Sequence, residues 1–176
     1  FYQFWLQTPD ADVYRFLKFF TFLDVERIDE IEAQDKAREG RPVAQRVLAE
    51  EMTRLVHSDE ALEAARRITE ALFSGDHTSL SANDYEQLQL DGLPASQVPE
   101  KLEGQPLTSL LAEAGVAASG KQVKDALARG AVIINDQACT ADDNMSAPAL
   151  FSENSARFGK YFLVKLGKKK HHLFYL

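Results

Sequence analysis

Lys121 and Lys124 stand three residues apart in the run Ser119-Gly120-Lys121-Gln122-Val123-Lys124-Asp125-Ala126-Leu127. On a helix that spacing puts both ammonium groups on one side, while Val123 and Leu127, four apart, turn toward a core. The chemistry open to such a pair is neutralisation of phosphate, because lysine can grip a ribose-phosphate backbone without reading base identity. Ser119, Gln122 and Arg129 add polar and cationic character to the same segment. A second cationic group follows at Lys165, Lys168, Lys169, Lys170 and His171, which we read as an exposed knuckle at a hairpin tip. Solvation alone also favours a charged helix face, and a lysine-rich turn also keeps a sheet edge soluble. Context has to separate these readings.

Other chemistries find little support. No nucleophile sits at a recognisable spacing from a base. The single Cys139 excludes an intramolecular disulfide and a multi-cysteine zinc site, and fits a reducing, cytoplasmic setting. His57, near a helix end, reads as a partner of the helix dipole. Asp10 and Asp12 fall in a first helical turn, where carboxylates favour the same dipole.

Of the 176 residues 45% are hydrophobic, as in an ordinary globular protein. No run of about 18 apolar residues is present, so no membrane span is expected. The chain opens without an initiator Met, which suggests a piece of something longer. Its net charge of −7 argues at face value against nucleic acid. The halves disagree, however. Residues 1–100 hold 10 Lys+Arg against 20 Asp+Glu, and residues 101–176 hold 10 against 7. The later half is the candidate for a polyanion.

The elements that would position these residues follow from periodicity. Thr8-Pro9 predicts a helix start, with Val13, Phe16, Leu17 and Phe20 at helical spacing. Asp24 begins a second helix (Val25, Ile28, Ile31), and Gly40-Arg41-Pro42 leads into a third (Val43, Val47, Leu48, Leu55, Val56). Ser58 opens a fourth that ends at Gly75, and Ser81 to Asp84 has capping-box spacing for a short fifth. Most of the dense aromatics among residues 1–22 read as core, although the cluster at 1–5 would equally suit packing against a domain not in this chain. We place a helical domain at 1–92, a proline-bearing linker at 93–105 and a second domain at 106–176. In the second domain Leu107 to Ala114 and residues 119–129 are helical. Residues 131–135, 137–140, Tyr161 to Leu166 and Leu173 to Leu176 are strands, and Asn135-Asp136 is a tight turn. The fold class is α+β: an all-α bundle, then two or three short helices on a small, mostly antiparallel sheet.

Several segments together carry a family resemblance. Phe1-Tyr2-Gln3-Phe4-Trp5, Asp10-Ala11-Asp12-Val13, Lys18-Phe19-Phe20-Thr21-Phe22, Leu48 through His57, and Ala71-Leu72-Phe73-Ser74-Gly75 resemble bacterial tyrosyl-tRNA synthetases just after their catalytic domain. Residues 106–176 are similar to the S4-like RNA-binding domain that ends such enzymes, with Gly167-Lys168-Lys169-Lys170 matching its closing hairpin. The resemblance implies a helical anticodon-binding domain followed by an S4-like domain, both holding tRNA(Tyr). It implies a preceding catalytic domain, absent here, that activates tyrosine with ATP and Mg and makes the parent a homodimer. The HIGH-like and KMSKS-like motifs of that domain are missing, so this chain would bind RNA as a monomer, without cofactor or catalysis.

By the same resemblance Ser119, Lys121, Gln122 and Lys124 are RNA-backbone contacts, and Asp10 or Asp12 accepts hydrogen bonds from an anticodon guanine. Gly120 replaces a commonly cationic residue and Asp136 stands where glycine usually follows Asn, which implies weaker RNA binding than in relatives. Two other readings stay open. One is a stand-alone RNA-binding regulatory or ribosome-associated module; the other is an acidic helical half that serves protein interaction.

Overall fold

Helices fill residues 1–70 because apolar side chains recur there at three- and four-residue spacing. The computed structural model describes residues 1–40, 42–168 and 170–176, apart from the side chain of Asp91. Lys169 of the expected knuckle therefore lies outside the described residues. The chain forms α1 (Tyr2–Leu6), α2 (Asp10–Phe20), α3 (Val25–Ala37), α4 (Ala44–Val56) and α5 (Asp59–Ser74). It divides into two compact units, Phe1–Glu70 and Ala71–Leu176.

In the first unit Val13, Leu17, Ile28, Ile31, Ala44, Leu48 and Met52 share one apolar cluster, and Tyr2, Ala49 and Leu62 form another. Asp35 secures the corner between α3 and α4. Its carboxylate accepts the backbone N–H groups of Val43 at 2.6 Å and Ala44 at 3.0 Å, and the Tyr14 hydroxyl at 3.1 Å. It thus caps α4 from a distance, since Val43 has no side-chain acceptor. Burial, with this carboxylate beside it, pushes the Tyr14 phenol up to about 12.

Three sequence expectations change in this unit. The structure starts α2 at Asp10, with Pro9 just outside it. Val25, Leu55 and Val56 are exposed, and Ala44, Ala49 and Met52 fill the core instead. The front aromatics are mostly not core: Phe1, Phe4, Phe19, Phe20 and Phe22 are exposed. Short helices with few neighbours bury a stripe narrower than the apolar run that defines them.

The second unit is built on a sheet. After α6 (Ala82–Gln87) come β1 (Ala95–Gln97), α7 (Leu107–Glu113), α8 (Gly120–Leu127), β2 (Val132–Ile134), β3 (Gln137–Cys139), α9 (Ala147–Leu150), β4 (Tyr161–Leu166) and β5 (Lys170–Tyr175). The five strands lie in the order β1-β5-β4-β2-β3. Only the β1–β5 pairing is parallel among them. The α+β class with a small, mostly antiparallel sheet is therefore what the chain adopts. β5 begins earlier than the stretch read from sequence, because Lys170, His171 and His172 pair with Leu166, Lys165 and Val164 of β4.

Strand parity sorts the sheet into two faces. Phe162, Val164 and Leu166 of β4, Phe174 of β5, and Val132 and Ile134 of β2 meet Leu107, Leu110, Leu111, Val123, Ala126 and Leu127 of α7 and α8 in one core. The opposite face carries Tyr161, Leu163 and Lys165, paired with Tyr175, Leu173 and His171. Residues 75–85 reach that face: the Tyr85 ring stacks on Tyr161 at 5.5 Å. The sequence pattern assigns these residues to the end of the helical bundle. Their capping box forms as expected, with Ser81 N–H donating to Asp84 at 2.8 Å and Asp84 N–H to Ser81 Oγ at 3.3 Å, but in the second unit.

Residues 93–105, read as a linker, are also built into the sheet. β1 pairs with β5, Leu173 N–H donates to Pro94 O at 2.9 Å and Val98 N–H to Tyr175 O at 2.8 Å. Val98 and Leu102 join the core. Pro94 and Pro99 flank an edge strand, the place in a sheet where a missing N–H is tolerated.

Candidate nucleic-acid interface

α8 is held at both ends by its own sequence. Ser119 Oγ accepts the Gln122 N–H at 3.4 Å, and Gln122 Oε1 accepts the Ala118 N–H at 2.9 Å. Two expected backbone-contact residues thus fix the start of the helix. Gly120 lets that start approach α7 closely: a Cβ there would lie 3.2 Å from the Thr108 carbonyl oxygen. A cationic side chain at this position would press on that carbonyl, so packing accounts for the small residue. At the other end Gly130 takes φ +61°, a conformation that ends a helix and favours glycine. Arg129 Nε donates to Asp125 O at 3.0 Å and closes the last turn.

Between these anchors Val123, Ala126 and Leu127 are buried, while Lys121 and Lys124 are exposed on the outer side. The Gly167 N–H donates to Ala131 O at 2.8 Å. That bond ties the β4–β5 turn to the residue that follows the α8 stop. Lys168 in this turn and Lys170 at the start of β5 are exposed, and Lys170 shares strand parity with the face covered by α7 and α8.

Lys165 and His171 do not join that surface. They pair across β4 and β5 on the opposite face, both partly buried. The Lys165 ammonium lies 3.4 Å from where a Cβ on Gly75 would stand, and the His171 ring is 6.1 Å from His77. The expected knuckle is split because successive strand residues point to opposite sides.

Asp136 is likewise engaged. With Asn135 at φ +46° and Asp136 at φ +70°, the turn has the left-handed pair of a tight hairpin. Its carboxylate meets His77 Nδ1 at 2.5 Å and accepts from Arg157 Nη2 at 2.8 Å. The added anion is thus held between two basic side chains and fixes residues 75–85 to the β2–β3 turn. Sequence reading missed this triad, since nothing in the spacing of residues 77, 136 and 157 announces it.

In the first unit Asp12 pairs with Arg15 at 2.7 Å, and Asp10 accepts from Gln45 Nε2 at 2.6 Å. Both carboxylates, in the first turn of α2, thus have partners within the first unit, Asp12 on α2 itself and Asp10 on α4. Among buried groups, His172 Nε2 lies 2.9 Å from Ser96 Oγ, and burial pulls its pKa below the ordinary value. Burial pushes the Cys139 thiol up to about 11, which leaves it a poor nucleophile near neutrality. Among the described residues there is no cluster of three or more metal-ligating side chains and no helix long and apolar enough to cross a membrane.

Comparison with known proteins follows the same division. A family model described as tyrosine–tRNA ligase SYY-like C-terminal domain matches residues 84–174, and one described as tRNA synthetases class I (W and Y) matches residues 1–74. A tyrosine–tRNA ligase of Neisseria meningitidis is 48% identical over 98% of this chain and 41% of its own length. One of Laribacter hongkongensis is 50% identical over 98% of this chain and 39% of its own length. The chain thus spans about two fifths of the length of these relatives. A solved structure of a C-terminally truncated Aspergillus nidulans mitochondrial tyrosyl-tRNA synthetase shares 39% identity over 41% of this chain and 21% of that one, with a TM-score of 0.38. With one family model spanning its sheet-bearing half and ligases matching nearly all of its length, the chain belongs to the tyrosine–tRNA ligase family, whose C-terminal part it represents.

Proposed function

We propose that this chain is the tRNA(Tyr)-binding C-terminal region of a cytoplasmic tyrosine–tRNA ligase. In this reading a preceding catalytic domain binds ATP, Mg and tyrosine and makes the homodimer, and the present residues position the tRNA. The S4-like second domain grips the phosphate backbone, and the helical domain serves the anticodon stem. The observation that carries the reading is the exposed Lys121–Lys124 pair on a helix anchored at both ends. Lysines held on one rigid side meet phosphates at lower entropic cost than lysines on a mobile segment.

Lys168 and Lys170 extend the surface through the turn tied to Ala131. Lys169 is proposed with them on sequence alone. Ser119 and Gln122 contribute by holding α8 in place, and Arg129 by closing its last turn. Asp10 and Asp12 are assigned to α2 and its neighbours, since each has a partner within the unit.

Filter binding of a tRNA(Tyr) transcript across a salt series tests the proposal. Affinity is expected to fall steeply as salt rises, and K121E/K124E is expected to weaken binding and flatten that dependence. Deleting the long variable arm of the transcript should cost more affinity than changing its anticodon. If the double variant binds with the wild-type slope, α8 is not the contact surface.

A further inference from the structure

In the second unit, residues 157–161 make a tight turn that leads into β4. Lys160 N–H donates to Arg157 O at 3.1 Å, and Arg157 and Tyr161 exchange N–H···O bonds of 2.8 and 2.9 Å. The two residues at its centre, Phe158 and Gly159, have φ +53° and +67°. Glycine and asparagine adopt that conformation readily, whereas a bulky side chain is disfavoured in it. Among the described residues four other than glycine have positive φ, and Phe158 is the only apolar one beside Ser58, Asn135 and Asp136. Burial does not offset the conformation. Phe158 is 55% exposed, and its ring makes an edge contact with buried Tyr85 at 5.7 Å. An aromatic side chain held in an unfavourable backbone state while it faces water points to a role outside the fold.

The neighbours of this ring indicate the class of ligand. Arg157 and Lys160 bracket Phe158 and Gly159 in the turn. Arg157 is fixed through Nη2 on Asp136. Lys160 is exposed, with its ammonium 5.0 Å from the centre of the Tyr161 ring. Since Tyr85 stacks on Tyr161, ring and ammonium rest on one buried aromatic layer. Leu176 N–H ties the turn again by donating to Lys160 O at 3.0 Å. An open ring beside cations suits an unpaired nucleotide, whose base stacks on the ring while its phosphates meet the positive charge. A turn already fixed by its own hydrogen bonds loses little entropy when such a base arrives. The exposed residues around Phe158 in sequence, Glu153, Asn154, Ser155, Gly159 and Lys160, add no large apolar side chain. The ring thus lacks the contiguous apolar area of a protein-docking patch. The turn and the β4–β5 turn lie at opposite ends of β4, about 20 Å apart at strand rise, so this contact is separate from Lys168.

We infer that Phe158 is a stacking platform for one unpaired nucleotide of the bound RNA. The inference rests on the RNA-binding proposal and adds to it a base contact that the lysines of α8 do not make. Filter binding of the tRNA(Tyr) transcript by F158N, F158L and F158W, each with its urea midpoint, tests it. Asparagine accepts the φ of this turn, so F158N keeps the turn and lacks the ring. Leucine keeps an apolar side chain without an aromatic face. Both should weaken binding about tenfold, the loss of one stacked base. Their salt slope should stay that of wild type, because stacking releases no counterions. F158W should bind within about twofold of wild type, since an indole also stacks. The fluorescence that it adds to Trp5, the only tryptophan of the chain, should be quenched when the transcript is added. Wild-type affinity in F158N or F158L overturns the inference and leaves the ring to another partner, a protein included. So does a loss in F158W as large as in F158N, which means that the turn matters and the aromatic face does not. A flattened salt slope in F158N also overturns it, because the change then acts on phosphate contacts. A wild-type chain that binds no transcript overturns the RNA-binding proposal and this inference together. K121E/K124E without effect, beside a weakened F158N, counts against α8 alone.

Discussion

Helix α8 and the β4–β5 hairpin are both cation-rich, yet they present their charges differently. In α8 a three-residue spacing brings Lys121 and Lys124 to one exposed side. In the hairpin, spacing by single residues sends Lys165 and His171 to one face while Lys170 shares parity with the other. Charge density in a sequence is therefore not a charged surface. The period of the element decides which cations a partner can meet together, and Lys165 is partly buried on the face that residues 75–85 reach.

The comparison breaks most directly at the helix. K121E/K124E removes two phosphate partners and adds two repulsive charges, so tRNA affinity at low salt should fall by about 10- to 100-fold. The log–log salt slope should shrink by about 2. A loss below twofold would shift the surface elsewhere.

On the opposite face the expected effect is on stability. Removing the Asp136 carboxylate leaves His77 and Arg157 without their shared acceptor. D136A should destabilise the chain by about 1–2 kcal/mol in urea unfolding, discounted for the partial exposure of this site. D136G should cost less, because glycine accepts φ +70° and alanine does not. If both variants unfold at the wild-type midpoint, the triad is not holding residues 75–85.

Acidification probes the edge of the sheet. Burial favours neutral His172, so the unfolded chain takes up this proton first as pH falls. Its contribution is intact above the ordinary value of 6.5 and is lost below it, down to the lower folded pKa. Stability should fall by up to about 1.4 kcal/mol per pH unit in that window from this group. Unfolding midpoints between neutral and acidic pH should therefore slope less for H172Q than for wild type. Parallel slopes would contradict the assignment.

K165M sharpens the contrast with the smallest effect. It should leave the tRNA salt slope unchanged, because Lys165 faces residues 75–85 and neutralises no phosphate in this scheme. A slope reduced as much as by a lysine change on α8 would return Lys165 to the RNA surface.

Much of the local architecture was legible. Ser119 and Gly130 mark α8, Ser81 and Asp84 mark α6, and Asn135-Asp136 marks its hairpin, because caps and turns are short-range bargains between neighbouring backbone and side-chain groups. The failures are long-range. Ala95 to Gln97 is too short for alternation to show, so only pairing with β5 makes it a strand. Residues 71–92 read as bundle because their helical pattern is silent about which surface they cover. The front aromatics read as core because periodicity counts apolar residues without knowing how many neighbours are present to bury them.

The sequence by itself determined most of the longer helices, the antiparallel strands, the cationic helix and the family to which the chain belongs, since each is encoded in residue type and local spacing. Tertiary structure alone decided which cations share a face, that Asp136 is held between His77 and Arg157, and that six rings of the first unit meet in series. Those outcomes depend on contacts between residues tens of positions apart, and such contacts form only when sheet register and helix packing bring the segments together.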